Sequence, residues 1–274
     1  METKELIIEA GHTESRYWKD LWRYRGLFYF LAWRDILVRY KQTVIGVAWA
    51  IIRPFVTMVA FSLLFGKLAK LPSEGVPYPI LVFAALLPWQ LFANSLIECS
   101  NSMIKNASMI SKVYFPRLIA PLSGVLTSLV DFLISALMLA ALMAWFGVAP
   151  DWRILTLPLF ILIALLSAVG AGLWLGALNV RYRDFQQVVP FIVQFGLYAS
   201  PVAYSSRIIP DQWRLVYSLN PMVGVIDGFR WAILGSESMV YLPGFLLSLM
   251  VVILLFLSGI WYFRKTERSF ADFI

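Results

Sequence analysis

The sequence predicts an all-α integral membrane protein with six transmembrane helices. Three observations carry this. The 274 residues are 60% hydrophobic and only 14% charged, with mean hydropathy +0.75, whereas soluble domains are nearer a quarter charged. Six windows, 43–66, 77–97, 118–146, 154–180, 185–206 and 239–263, are apolar for long enough to cross a bilayer as helices, which takes about 20 residues. The runs are continuous, where a barrel would show short alternating segments.

Four windows contain no charge; the first holds only Arg53 and the third only Asp131. The long charged leader before the first window predicts no cleavable signal peptide. A lone cysteine, Cys99, excludes an internal disulfide and a Cys-based metal cluster, and His12 is the single histidine. With the N-terminus placed in the cytoplasm, Lys and Arg number 16 in the inner segments and 6 in the outer ones. This bias predicts both termini on the inner, cytoplasmic side of the membrane. It also accounts for the net charge of +7 through topology and anionic lipid, with no need for nucleic acid. The expected organisation is a cytoplasmic N-terminus (1–42), a six-span domain (43–263) and a cytoplasmic tail (264–274).

Within the leader, residues 16–42 read as an amphipathic helix lying in the inner interface. Trp18, Leu21 and Trp22 gather on one side, with Arg16, Lys19, Asp20 and Arg23 on the other. Gly26 is expected to break it, and a second stretch carries Phe28, Leu31 and Ile36. It serves either as a plain anchor or as part of a channel wall. Between the second and third windows lies a basic island, SMIKNASMISKVYFPR (102–117), with Lys105, Lys112 and Arg117 and no acid. As a helix it places Met103, Ala107, Ile110 and Tyr114 along one face, and Lys105, Asn106 and Lys112 largely elsewhere. That pattern predicts a helix with a partner-facing side. Residues 207–238, between the last two windows, are too charged to span and too apolar for a free loop. Pro210, Pro221, Gly224 and Gly228 cut them into short re-entrant pieces in the outer leaflet.

No phosphate loop, zinc-protease motif, nucleophile elbow or acidic metal cluster occurs in the sequence. These absences predict a conduit without catalytic residues, metal or cofactor of its own. Polar residues inside the windows are the candidates for a path. Gln90, Asn94 and Glu98 recur every four residues and share a helical face; Gln187, Phe191, Gln194 and Tyr198 form a second stripe. Each stripe suits either interhelical hydrogen bonding or a wet, hydroxyl-rich path. Arg53 and Asp131 lie at membrane depth, where charges pair or line a pathway. They pair with each other within a subunit, pair across a dimer, or meet separate partners. Trp145, Trp152 and Trp261 fall at span ends as an interface belt requires. Trp49, Trp89 and Tyr198 lie deeper, and aromatic faces suit the apolar faces of sugar rings.

Seven segments carry a resemblance: RDILVRYKQTVIGVAWAIIRP, LLPWQLF, NASMISKVYFPR, ALNVRYRDFQQVVPF, SPVAY, LNPMVGVIDGFRWAILG and FRKTERSFADFI. Together they resemble the permease subunit of type-2 ABC polysaccharide exporters, the O-antigen, capsule and teichoic-acid exporters. The resemblance implies a homodimer of six-span subunits working with two cytoplasmic ATPases, which bind ATP and Mg. The dimer is expected to form a channel for a polysaccharide, O-antigen foremost, carried on undecaprenyl. It further implies that 102–117 is the coupling segment docking on the ATPase. Trp49, Arg53, Trp89, Gln90, Asn94, Asp131, Gln194 and Tyr198 would line the substrate path. Pro210, Trp213, Asn220 and Pro221 would belong to an outer gate. The alternatives are a capsule or teichoic-acid exporter, an ion-driven secondary transporter, which would need more acids in the spans, and a membrane glycosyltransferase, which would need metal-binding loops.

Overall fold

A computed structural model describes residues 14–41, 46–73, 75–182, 184–235, 240–267 and 270, with side chains described from Tyr17 and, after the first gap, from Ala48. His12, Arg183, Ser238 and Arg268 lie outside the described residues.

The described chain is helical. Two helices of the leader, α1 (Glu14–Arg23) and α2 (Arg25–Lys41), are followed by α3 (Gly46–Phe61), which continues into a wider π-helical stretch, Ser62–Leu68. Then come α4 (Tyr78–Lys105), the one-turn α5 (Ala107–Ile110), α6 (Ile119–Phe146), α7 (Leu157–Arg181), α8 (Phe185–Ala199), α9 (Asp211–Tyr217), α10 (Pro221–Leu234) and α11 (Leu242–Thr266). Five stretches are long and apolar enough to cross a membrane: Ala48–Leu68, Tyr78–Lys105, Ile119–Phe146, Trp152–Arg181 and Leu242–Thr266. The fifth predicted window becomes α8, only 15 residues long. Its helix stops before Pro201, because the residue preceding a proline is pushed out of helical geometry; Ser200 is extended.

The bundle has two distinct ends. At one, Asn179 of α7 donates to the carbonyl of Ser100 of α4 at 3.0 Å. There Tyr17 of α1 donates to Glu267 beyond α11 at 3.1 Å and accepts from the Leu118 amide at 3.4 Å. Burial and the neighbouring Glu267 push the Tyr17 hydroxyl well above the usual phenol range, so it stays a donor. At the other end, the Tyr78 hydroxyl donates to the Ala203 carbonyl at 2.5 Å, and α10 packs against the starts of α4, α7 and α11. We call these the clasp end and the far end. Helix α8 starts beside Arg181 at the clasp end, and the chain following it reaches Tyr78 at the far end.

Sequence chemistry sets the joints. Gly147, at φ +70, ends α6 in the left-handed conformation, and Val148 donates back to Met143, a Schellman closure that glycine makes without strain. Asn220 caps α10 by accepting from the Met222 amide at 3.0 Å, with Pro221 in the first turn. Helices α7 and α11 cross so closely at Gly170 and Gly259 that a Cβ on Gly170 would lie 2.7 Å from the Phe256 amide nitrogen. Small residues allow such backbone approach.

Two expectations for the leader change. The break falls at Tyr24, not Gly26, which sits inside the first turn of α2, where glycine does not stop a helix. Helix α2 does not stand apart from the bundle: Leu31 is buried with Phe115 and Ile119, and its last turn reaches Asp131, midway along α6.

Candidate functional site

A cavity of about 290 Å³ opens among α2, α3, α4 and α6. Helical periodicity brings its polar groups to one place. Trp49 and Arg53 are four apart on α3, Gln90 and Asn94 four apart on α4, and Ser128, Asp131 and Ser135 recur every three or four residues on α6. The Ser135 hydroxyl donates to the Ala50 carbonyl at 3.4 Å and ties α3 to α6.

Arg53 and Asp131 line this cavity without pairing. Asp131 is held from α2: Arg39 Nη2 lies 2.8 Å from its Oδ2, and the Tyr40 hydroxyl donates to it. Burial, and after it the hydrogen bond to Asp131, push the Tyr40 hydroxyl above the usual phenol range. The other Arg39 nitrogen, Nη1, stands 3.7 Å from Glu98, whose carboxylate also takes Lys105 at 2.5 Å. Lower on α2, Arg34 donates to Asn106 at 2.8 Å and pairs with Asp35 at 2.7 Å. A polar ladder thus runs from the break between α4 and α5 to the middle of the bundle, with α2 as its rail. Arg53 contacts the ring of Trp49, 5.7 Å from its centroid. Among the described residues its guanidinium has no ion pair and no hydrogen bond.

Five of the eight expected path residues, Trp49, Arg53, Gln90, Asn94 and Asp131, therefore meet in one cavity. Trp89 does not. It is 5% exposed, and its ring seats on Gly196 of α8, where a Cβ would come within 2.7 Å. Its neighbour Gln90 turns to the cavity because successive helical residues point about 100° apart. Gln194 and Tyr198, with Gln187 and Phe191, lie exposed on α8, away from the cavity lining. Arg34, Arg39, Tyr40 and Ser128 completed the arrangement without being singled out in the sequence. They sit in the leader or carry a hydroxyl too common to flag; only the repeat of basic residues near the first span hinted at them.

The island 102–117 is not one amphipathic helix. Helix α4 runs on to Lys105, Asn106 bends the chain, and α5 is a single turn. Met103 is fully buried in the bundle and Asn106 nearly so. Ile110 packs against the buried cluster of Leu31, Phe115 and Ile119, and Ala107 is half-buried. The expected shared face fails because the bend at Asn106 resets the helical phase, and the leader supplies an internal partner for the apolar residues. What remains outward is Lys105, Ser108, Lys112, Val113 and Tyr114, the last 55% exposed.

In the 207–238 stretch, Pro210 precedes α9, and Trp213 stands exposed on it. Asn220 joins two segments, since its amide also donates to Ser200 at 2.9 Å. Helix α10 is not a peripheral piece: nearly every residue from Met222 to Ile233 is buried. Arg230, counted among outer charges in the sequence, is 2% exposed and donates to the carbonyls of Tyr204 (2.7 Å), Val202 (3.0 Å) and Leu81 (3.3 Å). It serves the backbone, where the turn and bend at 200–205 leave carbonyls without helical partners.

The sequence that builds this bundle matches a known family. The profile of ABC-2 type transporters matches residues 26–234, from α2 to α10. The chain belongs to the ABC-2 type transporter family. It is similar to an O-antigen export system permease protein, RfbA, of Myxococcus xanthus, at 30% identity over 77% of this chain and 82% of that one. A protein of the same name in Klebsiella pneumoniae is 27% identical over 88% and 92% of the two chains. The polysialic acid transport protein KpsM of Escherichia coli is 20% identical over 86% and 92%. As an ABC-2 chain with five such helices, it is a multi-pass membrane protein and a transport component.

Proposed function

We propose that this chain is the membrane-spanning subunit of an ATP-driven exporter that moves a lipid-linked polysaccharide, O-antigen foremost, across the bacterial inner membrane. The observation that carries the reading is the similarity to O-antigen export permeases across most of both chains. The cavity supports it: amides, hydroxyls and an aromatic face suit a hydroxyl-rich cargo, and a pathway needs many modest contacts so that cargo can leave. The similarity to KpsM favours a second reading, capsule export.

In this reading the chain crosses the membrane six times with both termini in the cytoplasm. Helix α8 and the non-helical segment after it make the fifth crossing, because they begin at the clasp end and reach Tyr78 at the far end. Two copies pair and share two cytoplasmic ATPases, which bind ATP and Mg; this chain has no phosphate loop. The exposed α8 stripe, with the uncovered face of α3 bearing Trp49, forms channel wall completed by the second copy. Lys105, Lys112 and Tyr114 meet the ATPase. Motion there reaches the cavity along α2, which holds Asn106 through Arg34 and Asp131 through Arg39. Trp213 and the Asn220–Pro221 joint belong to the exit.

The test pairs export with assembly. Deleting the gene should abolish surface polysaccharide, and Tyr114→Asp in an epitope-tagged permease should leave membrane insertion intact while reducing ATPase co-purification. Normal surface glycan in the deletion strain would refute the exporter reading. Full ATPase recovery with Tyr114→Asp would refute the docking assignment.

A further inference from the structure

Two helix faces at the clasp end finish in the same chemistry, and they are neighbours. Along α11 the exposed residues Leu246, Met250, Leu254, Leu257, Trp261 and Lys265 recur at steps of three or four, so they form one stripe. The stripe runs apolar, then aromatic, then cationic, and Lys265 Nζ stands 5.0 Å over the Trp261 ring. That is the order of a bilayer leaflet: acyl chains, interface, phosphate. Helix α1 presents the outer two layers again, with Trp18 beside Lys19 and Trp22 beside Arg23, all exposed. The faces meet because Arg264, one residue before Lys265, reaches over the rings of Tyr17 (4.4 Å) and Trp18 (6.0 Å), while Tyr17 donates to Glu267. Among the described residues the Lys19, Arg23 and Lys265 side chains make no ion pair and no hydrogen bond. The described acids on these two elements do not answer them: Asp20 is half-buried and Glu267 takes the Tyr17 hydroxyl.

We propose that the corner between α1 and the last turn of α11 binds an anionic glycerophospholipid of the phosphatidylglycerol class, drawn from the leaflet at the clasp end. Lys265 and Lys19 hold its phosphate, Trp261 and Trp18 flank its glycerol level, and Leu254 and Leu257 take an acyl chain. A soluble anion would use the cations and leave the apolar stripe bare. A zwitterionic lipid would cover the stripe and bring a cation of its own towards Lys265. Basic residues beside exposed aromatic ones suit an anionic headgroup on both counts. A lipid seated here touches α1 and α11 together and fastens the leader to the bundle beside the Tyr17 contact. The inference rests on the export reading only for naming this leaflet cytoplasmic. The experiment measures binding without export, so either can fail while the other stands.

The full chain, purified in detergent, is titrated with phosphatidylglycerol or with phosphatidylcholine of the same acyl chains, and bound lipid is read by native mass spectrometry. Phosphatidylglycerol should bind the more tightly. Lys265→Gln should weaken it by about fivefold, and Lys265→Gln combined with Lys19→Gln by about twenty-fold. Lys265→Arg should keep most of the affinity, and Trp261→Leu should lose a few-fold. Lys67→Gln, which removes an exposed cation at the far end, should change nothing. Equal affinity for the two lipids, undiminished binding in the double variant, or a loss in Lys67→Gln as large as that in Lys265→Gln would overturn the proposal. A second arm adds glycerophosphoglycerol, the headgroup without chains. Displacement of the lipid by it would assign the corner to a soluble anion and overturn the lipid; retention of the lipid supports it. A double variant that keeps its lipid but loses ATPase recovery would assign the corner to a protein partner instead.

Discussion

Two arginines of this chain stand in opposite situations. At the far end, Arg230 is sealed in the core with three carbonyls around its guanidinium. In the cavity, Arg53 is exposed, lies against the ring of Trp49, and makes no ion pair or hydrogen bond among the described residues. Sequence hydropathy ranks them the wrong way round, since Arg53 lies in an apolar window and Arg230 in a segment too charged to span. The difference teaches that hydropathy along the chain does not report which charge the fold encloses and satisfies.

The largest expected effect breaks the first half of this comparison. Arg230→Met should remove donors from carbonyls that cannot reach water, at about 1–3 kcal/mol for each group left unsatisfied. We expect the thermal midpoint in detergent to fall steeply and the yield with it. A midpoint within a degree or two of the parent would make Arg230 as dispensable as a surface charge.

Next comes the latch between α2 and α6. Asp131→Asn should cost about 1–2 kcal/mol, less than a fully buried pair because the Arg39 side chain is one-third exposed. Arg39→Gln should cost a similar amount, and the double variant less than the sum. Strict additivity in the thermal midpoints would mean that the two do not interact.

Arg53 should behave in the opposite way. Arg53→Met is expected to leave stability unchanged or raise it by up to about 1 kcal/mol, since it removes a cation that has no ion pair among the described residues from an apolar stretch. Surface glycan should nevertheless fall at equal expression. A midpoint drop like that of Arg230→Met would place both arginines in the same structural role.

The smallest effect belongs to Trp49→Leu. It removes one exposed cation–π contact, worth about 0.5–1 kcal/mol, from a residue that is 50% exposed. Thermal stability should move by no more than that, and a larger loss would show Trp49 to be a packing residue.

How much was legible depends on the range of the forces involved. The stripe Gln90–Asn94–Glu98 was readable because helical periodicity is local; Gln90 and Asn94 of it line the cavity, while Glu98 pairs with Lys105. The role of Trp89, one residue away, was not readable, because it depends on Gly196, which is 107 positions along the chain and approaches only in the folded bundle. Arg39 and Tyr40 were hidden for the same reason: their partner Asp131 is about ninety residues distant.

The sequence alone determined that this protein is helical and lives in a membrane, because transfer of apolar side chains from water and the need to satisfy backbone groups internally act on every window separately. It also determined the family, through motifs spread along most of the chain. Only the tertiary structure decided that α10 is core, that Met103 and Asn106 face inward, and that Asp131 belongs to Arg39 while Arg53 stays open. Those outcomes depend on which charges and surfaces come within a few ångströms of one another, and pairing energies fall off too steeply with distance for composition or periodicity to record them.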